Sequence, residues 1–147
     1  MELYKVALFG HRYVENLDEI EERLSSVLTE TIKKKEFVEL YIGRNGEFDE
    51  YAASVIKRIQ KRCGRENNAL ILVLPYQMKD IVYYEKYYDE IIIPIEKAHP
   101  KRAITLRNEW MIENADLVIV AVERSEGGAN HAMKYAERLG KRVVNIL

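Results

Sequence analysis

Short apolar runs alternate along the chain with longer segments whose apolar residues recur at helical spacing. The runs are three to seven residues long, and several of them stop at a glycine or a proline, as strands buried on both faces of a parallel sheet do. The pattern predicts six strands, at residues 3–9, 37–42, 69–74, 91–93, 117–122 and 143–146.

The segments between the runs are predicted to be amphipathic helices. Leu17, Ile20, Leu24 and Leu28 mark the first helix, and Asn16 followed by Glu19 has the spacing of a capping box. Further helices are expected at residues 52–63, 101–114 and 129–139, and a short helix or ordered loop at the tyrosine-rich residues 76–88. In the helix at 101–114, His99–Pro100 is expected to form the start and Ala103, Leu106 and Trp110 the core face.

Strands that alternate with helices of this length favour right-handed crossovers and a parallel sheet covered on both faces. The sequence therefore predicts an α/β fold: a doubly wound, Rossmann-like domain with a mainly parallel sheet of about six strands. The chain has 147 residues, without a linker, repeat or low-complexity tract, and one domain over residues 1–147 accounts for this length.

The composition of the chain argues against several classes of function. The net charge of -1 lacks the basic excess of most nucleic-acid binders, so we expect no nucleic-acid partner. Cys63 is the single cysteine, and with three histidines it leaves no spacing typical of a metal site. No apolar stretch approaches the roughly 20 residues that span a bilayer, and the amino-terminal segment lacks the features of a signal peptide. We therefore expect a cytoplasmic protein with no membrane partner.

Loops after the strands contain the candidate ligand-binding residues, because ligands of open parallel sheets bind at the carboxyl ends of the strands. The first strand is followed by Gly10, His11 and Arg12, where an arginine and a histidine would contact a phosphate. Gly43 ends the second strand, and Gly127, Gly128 and Ala129 open the last helix. There, bare backbone amides would bind a phosphate, or the glycines would serve only as a turn.

The helix at 101–114 adds Arg107 and Asn108, which are expected either to be structural or solvated, or to reach the crevice. Glu47 and Asp49 are the candidate catalytic carboxylates near the same crevice. The glycine spacings of a dinucleotide fingerprint and of a P-loop are both absent, so no established cofactor motif assigns the ligand.

Several of these residues together resemble a known family. Arg107, Met111, Ala115–Asp116 before an apolar strand, and Gly127–Gly128 at a helix start are similar to the Rossmann-like SLOG superfamily. That superfamily includes the Lonely Guy phosphoribohydrolases, DprA and small YpsA-like proteins, and the segments LFGHR and YIGRNGEFD look most like the last branch. The resemblance implies a nucleotide pocket in a homodimer, with Arg107 on the ligand and the paired glycines on its phosphate.

Three functions follow as hypotheses. The first is binding of a nucleotide or nucleotide-derived ligand, as in a sensor. The second is hydrolysis of a nucleoside or nucleotide N-glycosidic bond, for which Glu47 or Asp49 must replace the glutamate that Lonely Guy enzymes carry after the paired glycines. The third is DprA-like binding of single-stranded DNA, with tyrosines stacking bases and lysines and arginines on phosphates. Its residues would be Tyr83, Tyr84, Tyr87, Tyr88, Lys57, Arg58, Lys61 and Arg62.

Overall fold

The computed structural model describes residues 2–147, which form six strands and five helices. The strands are β1 (Leu3–Gly10), β2 (Phe37–Ile42), β3 (Asn68–Val73), β4 (Glu90–Ile92), β5 (Leu117–Ala121) and β6 (Arg142–Asn145). The helices are α1 (Leu17–Lys34), α2 (Glu47–Cys63), α3 (Ile81–Glu85), α4 (Pro100–Asn114) and α5 (Gly128–Arg138). Each predicted strand is present within one or two residues of its expected bounds.

All neighbouring strands in the sheet are parallel, in the order β4-β3-β2-β1-β5-β6. From β1 the chain adds strands outwards in one direction as far as β4. It then crosses through α4 to the other side of β1 and adds β5 and β6. The direction reverses between β1 and β5, and Gly10 and Ala121 at the ends of these two strands are in register. In doubly wound folds such a reversal point opens the ligand crevice.

Alternate residues of β1 face two separate cores. Val6 and Leu8 belong to the core beneath α1 and α2, whereas Ala7 and Phe9 belong to the core beneath α4 and α5. This period of two places helices on both faces of the sheet, which confirms the predicted doubly wound class. Among residues 2–147, no helix is long and apolar enough to cross a membrane.

Two local predictions are wrong. The Asn16 side chain does not cap α1; its amide donates instead to Glu123 after β5, at 3.3 Å, while Glu19 pairs with Arg23 within the helix. In α4 the predicted core face is right at Ala103 but displaced by one position from Leu106 onwards. Ala103, Arg107 and Met111 form the buried stripe, while Leu106 and Trp110 are half-buried on its flank. The apolar pattern misassigns this face because a buried cation occupies its middle position.

Other local predictions are confirmed. The tyrosine-rich segment contains the short helix α3, and His99 caps α4, with its imidazole Nδ1 accepting the Lys101 N–H at 3.2 Å. The end of α2 at Cys63 is also as predicted, but its start is not: the helix begins at Glu47, five residues before the apolar pattern indicates, because Phe48 packs into the core from the first turn.

Gly10 ends β1 directly against Phe48, which is fully buried. A Cβ at position 10 would overlap the Phe48 ring, so this glycine is required by packing. The close approach holds the start of α2 over the end of β1. It thereby positions the loop that precedes α2 at the edge of the sheet.

The substitution Gly10→Ala should therefore lower the free energy of unfolding by about 1–3 kcal/mol, the usual cost of overpacking a core. Urea denaturation measures the loss. Gly128→Ala is the matched control, because no atom lies within 4 Å of a Cβ there, and it should not destabilise the protein. The loss at position 10 should shrink in a Phe48→Leu background. Equal stabilities of the two alanine variants would contradict this packing.

Candidate functional site

A pocket of about 540 Å³ opens at the carboxyl edge of the sheet, above the ends of β1, β2 and β5. It lies over the point where the strand order reverses. Four polypeptide segments form its walls: the loop after β1, the start of α2, the middle of α4 and the start of α5. The lining residues are Phe9, Gly10, His11, Arg12, Asn45, Gly46, Asp49, Ile104, Arg107, Asn108, Arg124, Glu126, Gly127, Gly128 and Ala129.

Most of the predicted site residues meet in this pocket. Gly10, His11, Arg12, Arg107, Asn108, Gly127, Gly128 and Ala129 line it, and so does the candidate carboxylate Asp49. Gly43 and Glu47 do not. Gly43 lies against the Arg107 guanidinium, and a Cβ there would come within 2.9 Å of Nη1. Glu47 is exposed, and its carboxylate accepts the Val14 N–H at 3.4 Å.

Arg107 is the buried cation of the pocket, with only 2% of its surface exposed. Its Nε donates to Asn108 Oδ1 at 2.9 Å, its Nη1 to the Val73 carbonyl at 2.7 Å, and its Nη2 to Asn45 Oδ1. Three of its five N–H groups therefore have protein acceptors. Within residues 2–147, Arg107 forms no salt bridge. Burial lowers the pKa of this guanidinium, which nevertheless stays charged.

Asp49 is the acidic group beside Arg107. One carboxylate oxygen, Oδ2, accepts the Asn45 N–H at 3.0 Å. Burial raises the pKa of Asp49 to about 6, although the Asn45 N–H and the positive charge of Arg107 act in the opposite direction. A carboxyl group with this pKa exchanges its proton near neutral pH, the range in which general acids and bases work.

His11 joins the two halves of the pocket. Its Nε2 accepts two backbone N–H groups from the loop after β5, from Glu123 at 3.0 Å and from Arg124 at 3.2 Å. The imidazole must be neutral to accept these bonds. Burial, followed by the positive charge of Arg124, lowers its pKa below 6.5. His11 is thus an acceptor that holds the loops after β1 and β5 together at the reversal point.

Helix α5 presents its amino terminus to the pocket. The first backbone hydrogen bond of the helix runs from the His131 N–H to the Gly127 carbonyl, at 3.1 Å, so the preceding amide groups lie ahead of it. Gly127 has a φ of 95°, which favours glycine. Gly128 has no such φ, and no atom lies within 4 Å of a Cβ built on it. Neither packing nor backbone conformation therefore requires a glycine at position 128.

Sequence reasoning missed three polar side chains of the pocket: Asn45, Arg124 and Glu126. All three lie in loops that follow strands, which is a usable signal. Asn45 is the most important of them, because its side-chain oxygen binds Arg107 while its backbone N–H binds Asp49. Arg124 also donates to the Tyr13 carbonyl, at 2.9 Å.

The tyrosines proposed to stack bases lie around α3, outside this pocket. Tyr88 is buried, whereas Tyr83 is 75% exposed. Arg44 lies over the Tyr84 ring at 4.5 Å and Lys57 over the Tyr87 ring at 4.9 Å. Of the basic residues proposed for phosphate contacts, Arg58 pairs with Glu21, while Lys61 and Arg62 are exposed at the end of α2. The proposed DNA surface is therefore partly occupied by internal contacts.

No group of three histidine, cysteine, aspartate or glutamate side chains in the described part of the chain, residues 2–147, is placed to hold a metal ion. The acidic side chains of the pocket, Asp49 and Glu126, come from different walls.

Folding lowers the pKa of His11, so the neutral imidazole adds to the free energy of unfolding above pH 6.5. This contribution is lost as the pH falls through the pKa of His11 in the folded protein. Between pH 7.5 and 5, the wild type should lose more free energy of unfolding than His11→Gln. The exposed His131 gives the control, His131→Gln, which should behave as the wild type.

Urea denaturation at several pH values measures these differences. Asp49 titrates in a neighbouring range with the opposite sign, because its pKa is raised, and this contribution is common to all three proteins. An identical pH dependence of the wild type and His11→Gln would contradict the role of His11 as a neutral acceptor.

No protein-family model and no curated protein matches this sequence. Solved structures match over almost the whole chain. DprA from Streptococcus pneumoniae has a TM-score of 0.68 at 17% identity, over 96% of this chain and 49% of that one. DprA from Helicobacter pylori, described with its binding of single-stranded DNA, has a TM-score of 0.66 at 18% identity, over 95% of this chain and 63% of that one.

The structural-genomics target TM1055 has a TM-score of 0.59 at 17% identity, over 95% of this chain and 72% of that one. The present chain thus spans about half of the S. pneumoniae protein and under two thirds of the H. pylori protein. At sequence identities of 17–18%, the similarity to these structures shows the fold alone. The chain has the single-domain, Rossmann-like fold that the resemblance to the SLOG superfamily predicts.

Proposed function

We propose that the pocket at the carboxyl edge of the sheet binds a nucleotide or a nucleotide-derived ligand, with its phosphate at the amino terminus of α5. The observation that carries the proposal is the buried guanidinium of Arg107, which faces a pocket without a carboxylate paired to it. A buried charge without a salt-bridge partner is costly, and Asp49, whose own pKa is raised by burial, balances the charge of Arg107 only in part. An anionic ligand in the pocket would lower that cost.

The phosphate end of the ligand fits the start of α5. Backbone N–H groups at a helix amino terminus and the helix dipole both favour a negative charge. Gly128 leaves these groups accessible where packing would allow a side chain. Arg124, on the loop after β5, adds a positive charge to the wall from which α5 starts, where Glu126 is the acidic residue. Arg12, whose Nε donates to the Asn45 carbonyl at 3.4 Å, adds a second positive charge to the pocket from the side of β2.

The structural neighbours support a nucleotide-related ligand in general terms. H. pylori DprA binds single-stranded DNA, which is itself a chain of nucleotides. The expectation that this chain has no nucleic-acid partner therefore remains a prediction, and an oligonucleotide belongs among the compounds tested. The expected homodimer and the cytoplasmic location likewise remain predictions.

A second candidate function is hydrolysis of an N-glycosidic bond. The observation that favours it is Asp49, which lines the pocket and has a pKa raised to about 6. At the position of the Lonely Guy glutamate, α5 carries Ala132 and Met133, so Asp49 would have to activate the attacking water. Release of free base from a nucleoside monophosphate by the wild type, but not by Asp49→Asn, would support this function.

Gly128→Asp should weaken nucleotide binding without unfolding the protein. The new carboxylate would lie where the phosphate binds, and juxtaposed like charges cost several kcal/mol, so affinity should fall by about tenfold or more. An acidic residue in the first turn of a helix is itself favourable, so thermal stability should not fall. Isothermal titration calorimetry with AMP, GMP, CMP and UMP measures the affinity.

Ser26→Asp is the matched control, since it adds the same charge to an exposed position of α1 outside the pocket. Its affinity for the nucleotide that binds best should equal that of the wild type. The proposal fails if none of the four nucleotides binds the wild type, or if Gly128→Asp binds as well as the control.

A further inference from the structure

Two acidic side chains, Asp49 and Glu126, line the pocket to which we assign an anionic ligand. Their surroundings differ. Glu126 is exposed on the loop after β5, where water screens its charge. Asp49 is half-buried in the first turn of α2, close enough to Arg107 for the two charges to act on each other. Asp49 is therefore the acidic group whose charge acts most strongly on an anion in this cavity.

The hydrogen bonds of Asp49 leave one of its oxygens for a proton. Oδ2 accepts the Asn45 N–H at 3.0 Å, whereas no group among residues 2–147 donates to Oδ1. Arg107 does not use this oxygen, because its Nη2 donates to the Asn45 side chain instead. A neutral carboxyl group keeps the bond at Oδ2 and becomes a donor at Oδ1. Such a donor binds an anion, which the ionised carboxylate repels.

Charged groups from three further segments of the pocket face Asp49. Arg107 on α4 and Arg44 on the loop after β2 favour its ionised form, whereas its chain neighbour Glu50 disfavours it. Arg44 is itself paired with Glu50 at 2.9 Å. Arg12 adds a positive charge from the loop after β1. Burial outweighs these positive charges, which leaves the pKa of Asp49 at about 6. The remaining charged or titratable groups that line the pocket are His11, Arg124 and Glu126.

We propose that anion binding in this pocket is coupled to protonation of Asp49: the ionised carboxylate competes with the ligand for the positive charge of Arg107, and the neutral carboxyl group does not. The inference rests on the proposed function, since it needs an anion in the pocket that Arg107 faces. One proton passes from solvent to Oδ1 of Asp49 when the ligand binds, and it returns to solvent when the ligand leaves.

The bound anion and the proton on Asp49 strengthen each other's binding. An anion in the cavity disfavours the ionised carboxylate, and therefore raises the pKa of Asp49 above its value of about 6 in the free protein. Reciprocally, protonation raises the affinity for the anion by the same factor. Affinity thus increases as the pH falls through the range between the two pKa values. The site binds its ligand more tightly in mildly acidic than in mildly alkaline solution.

Isothermal titration calorimetry with sulfate at pH 8.0, 6.5 and 5.5 tests the coupling. Sulfate keeps its charge over this range, whereas the phosphate of a nucleotide gains a proton near pH 6. The wild type should bind sulfate about tenfold more tightly at pH 5.5 than at pH 8.0, because ionised Asp49 and sulfate are like charges in one cavity. At pH 6.5, titrations in two buffers of different ionisation enthalpy should show net proton uptake on binding.

Asp49→Asn removes the charge and keeps an oxygen for the Asn45 N–H. At pH 8.0 it should bind sulfate about as tightly as the wild type does at pH 5.5. Its affinity should depend little on pH, and the dependence that remains measures the contribution of His11, whose pKa lies below 6.5. Glu126→Gln is the matched control, since it neutralises the exposed acidic residue of the same pocket. This control should keep the wild-type ratio of affinities, and thermal unfolding checks that both variants fold.

A wild-type affinity that does not rise as the pH falls overturns the coupling, whether sulfate binds equally at both extremes or at neither. So does a ratio that survives in Asp49→Asn, or one that is lost equally in Glu126→Gln. In each of these cases, binding of AMP, GMP, CMP or UMP to the wild type leaves the proposed function intact. If none of the four nucleotides binds, the proposed function fails as well.

Discussion

The arrangement of the pocket depends on a guanidinium group withdrawn from water. Arg107 lies in the middle of the buried stripe of α4, where an apolar side chain would be expected. Its hydrogen-bonding groups must find acceptors, and they find them on Val73 of β3, on Asn45 after β2 and on its neighbour Asn108. These bonds connect a helix on one face of the sheet to two adjacent strand ends. One charge thus fixes the β2 side of the pocket.

A second polar contact fixes the opposite side. The neutral imidazole of His11 accepts two N–H groups from the loop after β5, across the point where the strand order reverses. Strands β1 and β5 are adjacent, but the chain segments that follow them diverge to opposite faces of the sheet. His11 keeps these segments together at their start, so that the amino terminus of α5 faces the same space as Arg107. Two buried polar networks, around Arg107 and around His11, therefore border the pocket on its two sides.

The apolar pattern predicted the fold because burial on both faces of a parallel sheet leaves a strong signal, and every strand was found near its expected place. The pattern failed where polar groups are buried. Leu106 was assigned to the core face of α4 because nothing in the apolar spacing indicates that Arg107 takes that place. Asn16 was expected to cap α1, but its side chain binds Glu123, a residue distant in sequence.

Buried tertiary contacts also explain which parts of the site prediction were right and which were wrong. Loops that follow strands were correctly expected to meet, and nine of the predicted site residues line one pocket. Gly10 and Gly43 were singled out for a ligand, yet their lack of a side chain is explained by contacts with Phe48 and Arg107. Such contacts depend on tertiary packing, which short motifs do not encode. Asn45 was missed because its importance comes entirely from its two partners, Arg107 and Asp49.

The central claim is that an anionic nucleotide occupies the space between Arg107 and the start of α5. Nuclear magnetic resonance tests it most directly, by titration of the labelled protein with AMP, GMP, CMP and UMP. For at least one nucleotide, the amide signals of Gly127, Gly128 and Ala129 and the Arg107 Nε–H signal should shift together, with a single dissociation constant. Signals that stay in place at millimolar concentrations of all four nucleotides, or that shift only around the tyrosines of α3, would contradict the claim.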